Sequence, residues 1–178
     1  MSDNQDFILP DILVSRGREV VAANRAAGLR VAVAESCTGG LVSAALTEAA
    51  GSSDVFEAGF VTYSNEAKEE ILGVSEEVID TFGSVSIAAA WSMAQGILEK
   101  SRADVAVAIT GIAGPAGGSE RKPVGTVVFA VARRGQDPGQ VIADTKEFGD
   151  LGRGGVRLQA ALCALELLMP ESEAPQSP

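Results

Sequence analysis

Histidine is absent from this chain of 178 residues. That absence removes a large part of ordinary enzyme chemistry, because no Ser-His-Asp or Cys-His arrangement can be assembled within the chain. The usual zinc sites go with it. Two cysteines, Cys37 and Cys163, cannot complete a tetrahedral set without imidazoles. Acid–base work near neutral pH is left to lysine, tyrosine, cysteine and carboxylates. A pair of cysteines makes no disulfide framework either, so a reducing, cytoplasmic setting is expected. Aromatics are scarce, at 4% of residues, and there is no basic run. With a net charge of −10, direct nucleic-acid binding is not expected. No apolar run is long enough to span a bilayer, and the polar, acidic start Met1-Ser2-Asp3-Asn4-Gln5-Asp6 lacks the basic and apolar regions of a signal peptide. No compact acidic cluster asks for a metal, and no cofactor is called for.

What the chain does have is small apolar residues. Hydrophobic residues make up 46%, much of it alanine and valine, which suits helices packed closely on a sheet in a single domain. Periodicity and turn residues predict a helix over Ile8–Ala27 stopped by Gly28, a strand at Val31–Ala34 and a helix over Leu41–Ala49. A strand at Val55–Tyr63 and a short helix over Asn65–Leu72 follow. Ser75, ahead of Glu76 and Glu77, has the character of an N-cap. A longer helix runs from Ser86 to about Ser101, and Asp104–Ile109 is a continuous apolar run that reads as a central strand. Val124–Ala132 and Gln140–Glu147 read as a hairpin, and Val156–Met169 as the closing helix. The order α β α β α α β β β α predicts an α/β fold, a three-layer α/β/α sandwich with a mixed, mostly parallel sheet. One domain is expected over 8–169, with flexible tails at 1–7 and 170–178.

Three stretches carry chemistry. Ala34-Glu35-Ser36-Cys37-Thr38-Gly39-Gly40-Leu41 puts small hydroxyl residues and two glycines where a strand gives way to a helix. Free N–H groups and the helix dipole gather there and suit an anion or a developing oxyanion. Ser36 could be a nucleophile, or Ser36 or Thr38 could simply cap the helix. In Thr62-Tyr63-Ser64-Asn65-Glu66-Ala67-Lys68, Tyr63 and Lys68 lie one helical turn apart. A lysine desolvated beside a serine can act as its base, since burial lowers the lysine pKa, whereas an ordinary helix lysine is solvated. The absence of histidine favours the first reading. Thr110-Gly111-Ile112-Ala113-Gly114-Pro115-Ala116-Gly117-Gly118-Ser119 is a glycine-rich loop able to cradle a phosphate or ribose, though it is no Walker A loop. Both glycine-rich loops follow predicted strands, which places them at one crevice. Cys37 is an alternative nucleophile but reads better as a small buried filler, and Cys163 as core. Arg121 and Lys122 are expected to face solvent. Arg153 and Arg157 flank the last helix start, where either could hold a phosphate in a bidentate contact, with solvent exposure the simpler fate of Arg157.

Together these stretches resemble the CinA C-terminal domain family. The resemblance rests on Ala34–Gly40, on Gly59-Phe60-Val61-Thr62-Tyr63-Ser64-Asn65-Glu66-Ala67-Lys68, on Thr110–Pro115 and on Lys122-Pro123-Val124-Gly125-Thr126-Val127, and it runs from about residue 8 to residue 168. It implies a nicotinamide-nucleotide amidase that converts nicotinamide mononucleotide to nicotinate mononucleotide and ammonia in pyridine-nucleotide salvage. The alternative is a non-catalytic nucleotide-binding or regulatory protein of the competence- or damage-associated kind. By motif, Ser36 is the implied nucleophile, Lys68 its base, and Tyr63 an aid to proton transfer or amide orientation. Thr38, Gly39, Gly40, Asn65, Thr110, Gly111, Gly114 and Arg153 are the implied substrate-binding residues. Longer relatives carry an additional N-terminal domain, and this chain is expected to lack it. The family's Gly-Asp-Arg before the last helix is stretched here to Gly149-Asp150-Leu151-Gly152-Arg153, so that either Arg153 takes the arginine's role or the role is lost. A homo-oligomer, a dimer first, is expected, with a small pyridine nucleotide as the partner and no membrane contact.

Overall fold

The strands alternate in side-chain size rather than in polarity, and that alternation builds the two faces of the sheet. In the computed structural model, which describes residues 7–171, β1 (Val31–Glu35) and β3 (Val105–Gly111) both read Val-Ala-Val-Ala. Their valines, with Ile109 and with Val127 and Phe129 of β4 (Thr126–Arg133), join one core cluster. That cluster packs under α1 (Asp11–Ala27), α2 (Leu41–Thr47) and α6 (Gly152–Leu167). The alanines face the other way. Ala32, Ala34, Ala106, Ala108, Ala130 and Ala132 meet α3 (Asn65–Leu72), α4 (Glu76–Phe82) and α5 (Ile87–Lys100) in a second cluster. A pleated strand points successive side chains to opposite faces, so a Val-Ala repeat makes one bulky and one thin layer, each fully dry.

The sheet has five strands in the order β2-β1-β3-β4-β5, with β2 spanning Phe56–Val61 and β5 Ile142–Glu147. β1 pairs in parallel with β2 and β3, while β3–β4 and β4–β5 are antiparallel. Four strands therefore run one way and β4 alone runs against them, which is the expected mixed, mostly parallel sandwich with β3 at its centre. Gly28 ends α1 in the left-handed conformation (φ 68°), as its position predicts. Gly17 admits the backbone of α2, since a Cβ there would lie 2.2 Å from the Ala45 carbonyl oxygen. Asn24, fully buried, ties α1 to the end of α6 by donating to the Val20 and Leu168 carbonyls.

Several boundaries differ from the sequence reading. Three helices lie between β2 and β3, because the acidic turn after Ser75 is a complete helix, α4, with the Ser75 hydroxyl accepting from the Val78 N–H. The hairpin strands start two residues late at Thr126 and Ile142, and Pro138–Gln140 is a 3-10 turn. β2 is shorter than Val55–Tyr63 at both ends, and α2 stops at Thr47. The last helix begins at Gly152 rather than Val156. Gly154 and Gly155 argue for a loop by propensity, and packing overrides them. The expected tails fall mostly outside the described residues. Where their inner ends are described they make contacts: the Arg18 guanidinium sits 4.4 Å from the Phe7 ring centroid, and Arg133 pairs with Glu171 at 3.0 Å. No described helix is long and apolar enough to cross a membrane.

Candidate active site

Three parallel strands end together, and the chemistry-bearing stretches leave from those ends. Glu35 closes β1 opposite Val61 of β2 and Ile109 of β3, so Ser36, Thr62-Tyr63 and Thr110 emerge side by side. This is the carboxyl-end crevice where open α/β sheets bind ligands. A cleft of about 250 Å³ opens there, lined by Ser36 and Cys37 of the first glycine-rich loop and by Thr110–Gly114, Ala116 and Gly117 of the second.

Lys68 reaches this point from α3. Ser64 caps that helix through its hydroxyl, which accepts from the Ala67 N–H. The cap sets Lys68 one turn in, with its side chain turned under the chain rather than into water, and the residue is only 1% exposed. Its Nζ lies 3.1 Å from Ser36 Oγ and 2.8 Å from the Thr62 carbonyl oxygen, with the Tyr63 and Ser64 carbonyl oxygens each at 3.4 Å. Burial disfavours the charged ammonium and pushes the lysine pKa below its usual value, an effect that Cys37 opposes. A neutral amine in this nest has hydrogens for the carbonyls and a lone pair left for the Ser36 hydroxyl proton. The solvated-lysine alternative is thus overturned by the burial of the side chain at the floor of the cleft.

Glu35 alters a second expectation. The helix N-terminus after Ser36 was expected to suit an anion or a developing oxyanion, and the N–H groups at the start of α2 go to an anion of the chain's own. The Glu35 carboxylate, fully buried, accepts from the N–H groups of Gly40, Val42 and Ser43 and from the Ser43 hydroxyl at 2.7–3.1 Å. Neither Ser36 nor Thr38 caps α2, since no capping side-chain bond is made by the residue at its N-cap, Gly40, and Glu35 does the work from the strand. The signal was present as an acid at the end of an otherwise apolar strand, where a charge is costly unless several donors meet it.

Cys37 is no rival nucleophile. Desolvation by burial raises its thiol from 9.0 to about 11, and its own backbone N–H only partly offsets this. It is the buried filler it was expected to be, with Cys163 also a free thiol, packed at the edge of the core.

Of the implied site residues, Ser36, Tyr63, Lys68, Thr110, Gly111, Gly114 and Arg153 line the cleft. Thr38, Gly39, Gly40 and Asn65 do not. Thr38 is fully buried beneath the turn, the Gly39 N–H is spent on the Ser36 carbonyl, the Gly40 N–H is spent on Glu35, and Asn65 is exposed on α3. Thr110 gives its hydroxyl to the Ser84 carbonyl at 2.8 Å, and so brings Ser84 and Val85, which sequence reasoning missed, to the cleft wall. Tyr63 stands at the mouth, 59% exposed, and its phenol oxygen accepts from Arg153 at 2.9 Å. Arg153 also donates to the Gly114 carbonyl at 2.8 Å. The early start of α6 therefore returns Arg153 to the cleft despite the stretched Gly149–Arg153 segment. Arg157, one turn later on the same helix face, is half-buried instead of solvated, and donates to the Cys37 and Thr38 carbonyls, each at 3.1 Å. Lys122 also departs from its expected exposure and donates to the Phe82 carbonyl at 2.7 Å. Among the described residues no three metal-binding side chains gather.

The sequence and the fold both have known relatives. The nicotinamide-nucleotide amidohydrolase PncC of Enterobacter agglomerans is 52% identical over 154 residues, covering 86% of this chain and 91% of that protein. The protein of the same name in Escherichia coli K12 is 50% identical, over 88% of this chain and 92% of its own length. Among solved structures, the competence/damage inducible protein CihA from Agrobacterium tumefaciens superimposes with a TM-score of 0.86 at 48% identity, covering 91% of this chain and 96% of that one. The sequence pattern of the CinA C-terminal domain matches residues 15–171, and this chain therefore belongs to the CinA C-terminal domain family.

Proposed function

We propose that this protein is a metal-independent serine amidase that hydrolyses nicotinamide mononucleotide to nicotinate mononucleotide and ammonia. The observation that carries the reading is the buried Lys68 amine 3.1 Å from Ser36 Oγ, in a chain without histidine. The relatives named amidohydrolases, which this chain matches over most of its length, support the substrate.

In this mechanism Ser36 Oγ attacks the carboxamide carbon while Lys68 Nζ takes the hydroxyl proton. The tetrahedral intermediate collapses as Lys68 returns that proton to the amide nitrogen, and ammonia leaves. Water then attacks the ester carbonyl, its proton passing to Lys68 and on to Ser36 Oγ, and the nicotinate carboxylate is released. Tyr63, held by Arg153 at the mouth, orients the pyridine ring, while Arg153 faces the nucleotide phosphate with its remaining N–H groups. The Gly111–Gly114 backbone borders the ribose. This chemistry belongs to cytoplasmic nucleotide salvage, and the working unit is a dimer, whose mass light scattering measures.

The test is ammonia release from nicotinamide mononucleotide, with chelator present and Ser36→Ala alongside. Release that survives the chelator and disappears in Ser36→Ala is expected. A folded protein that binds the nucleotide in calorimetry but releases no ammonia would overturn the reading and make this a binding module.

A further inference from the structure

The catalytic turn is held from behind by one side chain of α6. Peptide units are planar and trans, so each carbonyl points opposite to the N–H of the next residue. Arg157 Nε binds the Cys37 carbonyl and so fixes the 37–38 peptide. Its Nη2 binds the Thr38 carbonyl and fixes the 38–39 peptide, whose Gly39 N–H then donates to the Ser36 carbonyl at 3.0 Å. That bond in turn fixes the 36–37 peptide. Its N–H, on Cys37, points away from the Ser36 carbonyl and, its own thiol sulfur aside, has no acceptor among the described residues. Cys37 lines the cleft beside Ser36. Of the neighbouring donors, the Ser36 N–H goes to the Ile109 carbonyl, the Gly39 N–H to the Ser36 carbonyl and the N–H groups of Gly40, Val42 and Ser43 to the Glu35 carboxylate, while Thr38 is fully buried and does not line the cleft.

Resting on the serine-amidase reading above, we propose that the backbone N–H of Cys37 is the oxyanion donor of the reaction and that Arg157 is the positioning residue that aims it. The guanidinium touches no substrate. It gathers the Cys37 and Thr38 carbonyls on the α6 side, and through the Gly39 N–H to Ser36 carbonyl bond it holds the 36–37 peptide, whose Cys37 N–H meets the oxygen that becomes negative when Ser36 attacks. Such a contact strengthens only as charge develops, so its loss falls on turnover rather than on substrate binding.

The experiment compares Arg157→Lys and Arg157→Ala with the wild-type full chain, in steady-state ammonia release from nicotinamide mononucleotide and in thermal unfolding. For Arg157→Ala, kcat is expected to fall about 100-fold, with KM within about threefold of wild type. Arg157→Lys, which keeps the charge but not the two-carbonyl fork, is expected to lose most of the same rate. Guanidinium chloride at sub-denaturing millimolar concentration restores part of the Arg157→Ala rate and leaves wild type unaffected. A kcat within threefold of wild type in the folded variants, or a loss carried by KM alone, overturns the assignment. If Arg157→Ala does not fold, Arg157→Lys decides on the same scale. Absence of Ser36-dependent release in the wild type would instead sink the amidase reading, and this one with it. Serine-dependent release that ignores Arg157 sinks this one alone.

Discussion

Lys68→Met separates the base from the bulk of the side chain. Methionine fills nearly the same volume, so the second core keeps its packing while the amine disappears. Losing a positioned general base costs between about 10²- and 10⁴-fold in turnover. The pH dependence is more telling. Burial holds the Lys68 pKa below its ordinary 10.5, so the folded protein gives up this proton at a lower pH than the unfolded chain does. Between the two pKa values the unfolded state binds more protons, and stability must rise with pH across that window. Each unit of depression makes about 1.4 kcal/mol of stability that is missing at neutral pH and regained in alkali. Urea unfolding of both proteins from neutral pH up to the lysine's ordinary 10.5, with Cys37 present in both, reads this as a difference of slopes. Wild type is expected to gain stability relative to Lys68→Met as pH rises, and wild-type kcat/KM to rise over the same range as the amine becomes neutral. Parallel stability curves, or a kcat/KM flat with pH in a Ser36-dependent enzyme, would refute the argument that a desolvated amine is the base.

Three further outcomes follow from the same geometry. Cys37 has the opposite sign: its thiol is raised from 9.0 to about 11, so the stability it contributes is intact below 9.0 and lost as pH climbs to about 11. Chemical unfolding across that range should show a loss of about 3 kcal/mol in wild type that is absent in Cys37→Ala. Glu35→Gln places an amide NH₂ among the donors its carboxylate now receives, and should lower unfolding stability by about 2–4 kcal/mol in urea titrations, with turnover falling as the Ser36 turn loosens. Arg153→Ala should raise KM for nicotinamide mononucleotide at least tenfold while barely changing KM for the riboside, which has no phosphate, in the same ammonia assay.

Where the sequence was legible, one physical signal dominated. The apolar runs of β1 and β3 read as buried strands, and parallel strands bring their carboxyl ends to one place, so Ser36 and Thr110 were expected at one crevice, where the fold puts them. Lys68 drew attention because a chain without histidine has few other ways to activate a serine, and the family resemblance singled it out as the base, while its burial beside Ser36 came only with the fold. What stayed hidden depended on contacts distant in sequence. Glu35 looked like a passing acid between a strand and a turn, and its role appears only when the N–H groups of residues five to eight positions on fold back over it. Gly154 and Gly155 masked the first turn of α6, and with it the shared face of Arg153 and Arg157. Arg157 meets Cys37 from 120 positions away, a separation that no local pattern encodes.

The unequal faces of the sheet also set how far Lys68 has to stretch. α3 comes from the alanine side, where the layer is thin, and Lys68 meets Ser36 from there with its Nζ 3.1 Å from Oγ. An alanine-to-valine exchange at Ala34 or Ala108 adds methyl groups to that layer and acts as a shim, moving helices that never touch the substrate and pulling Nζ out of range of Oγ. The same exchange in reverse on the valine side leaves a void and lets the Nζ–Oγ distance stand. Tolerance to mutation in this domain is thus one-sided: the face that looks least specific, built only of alanine, is the one whose thickness gauges the active site.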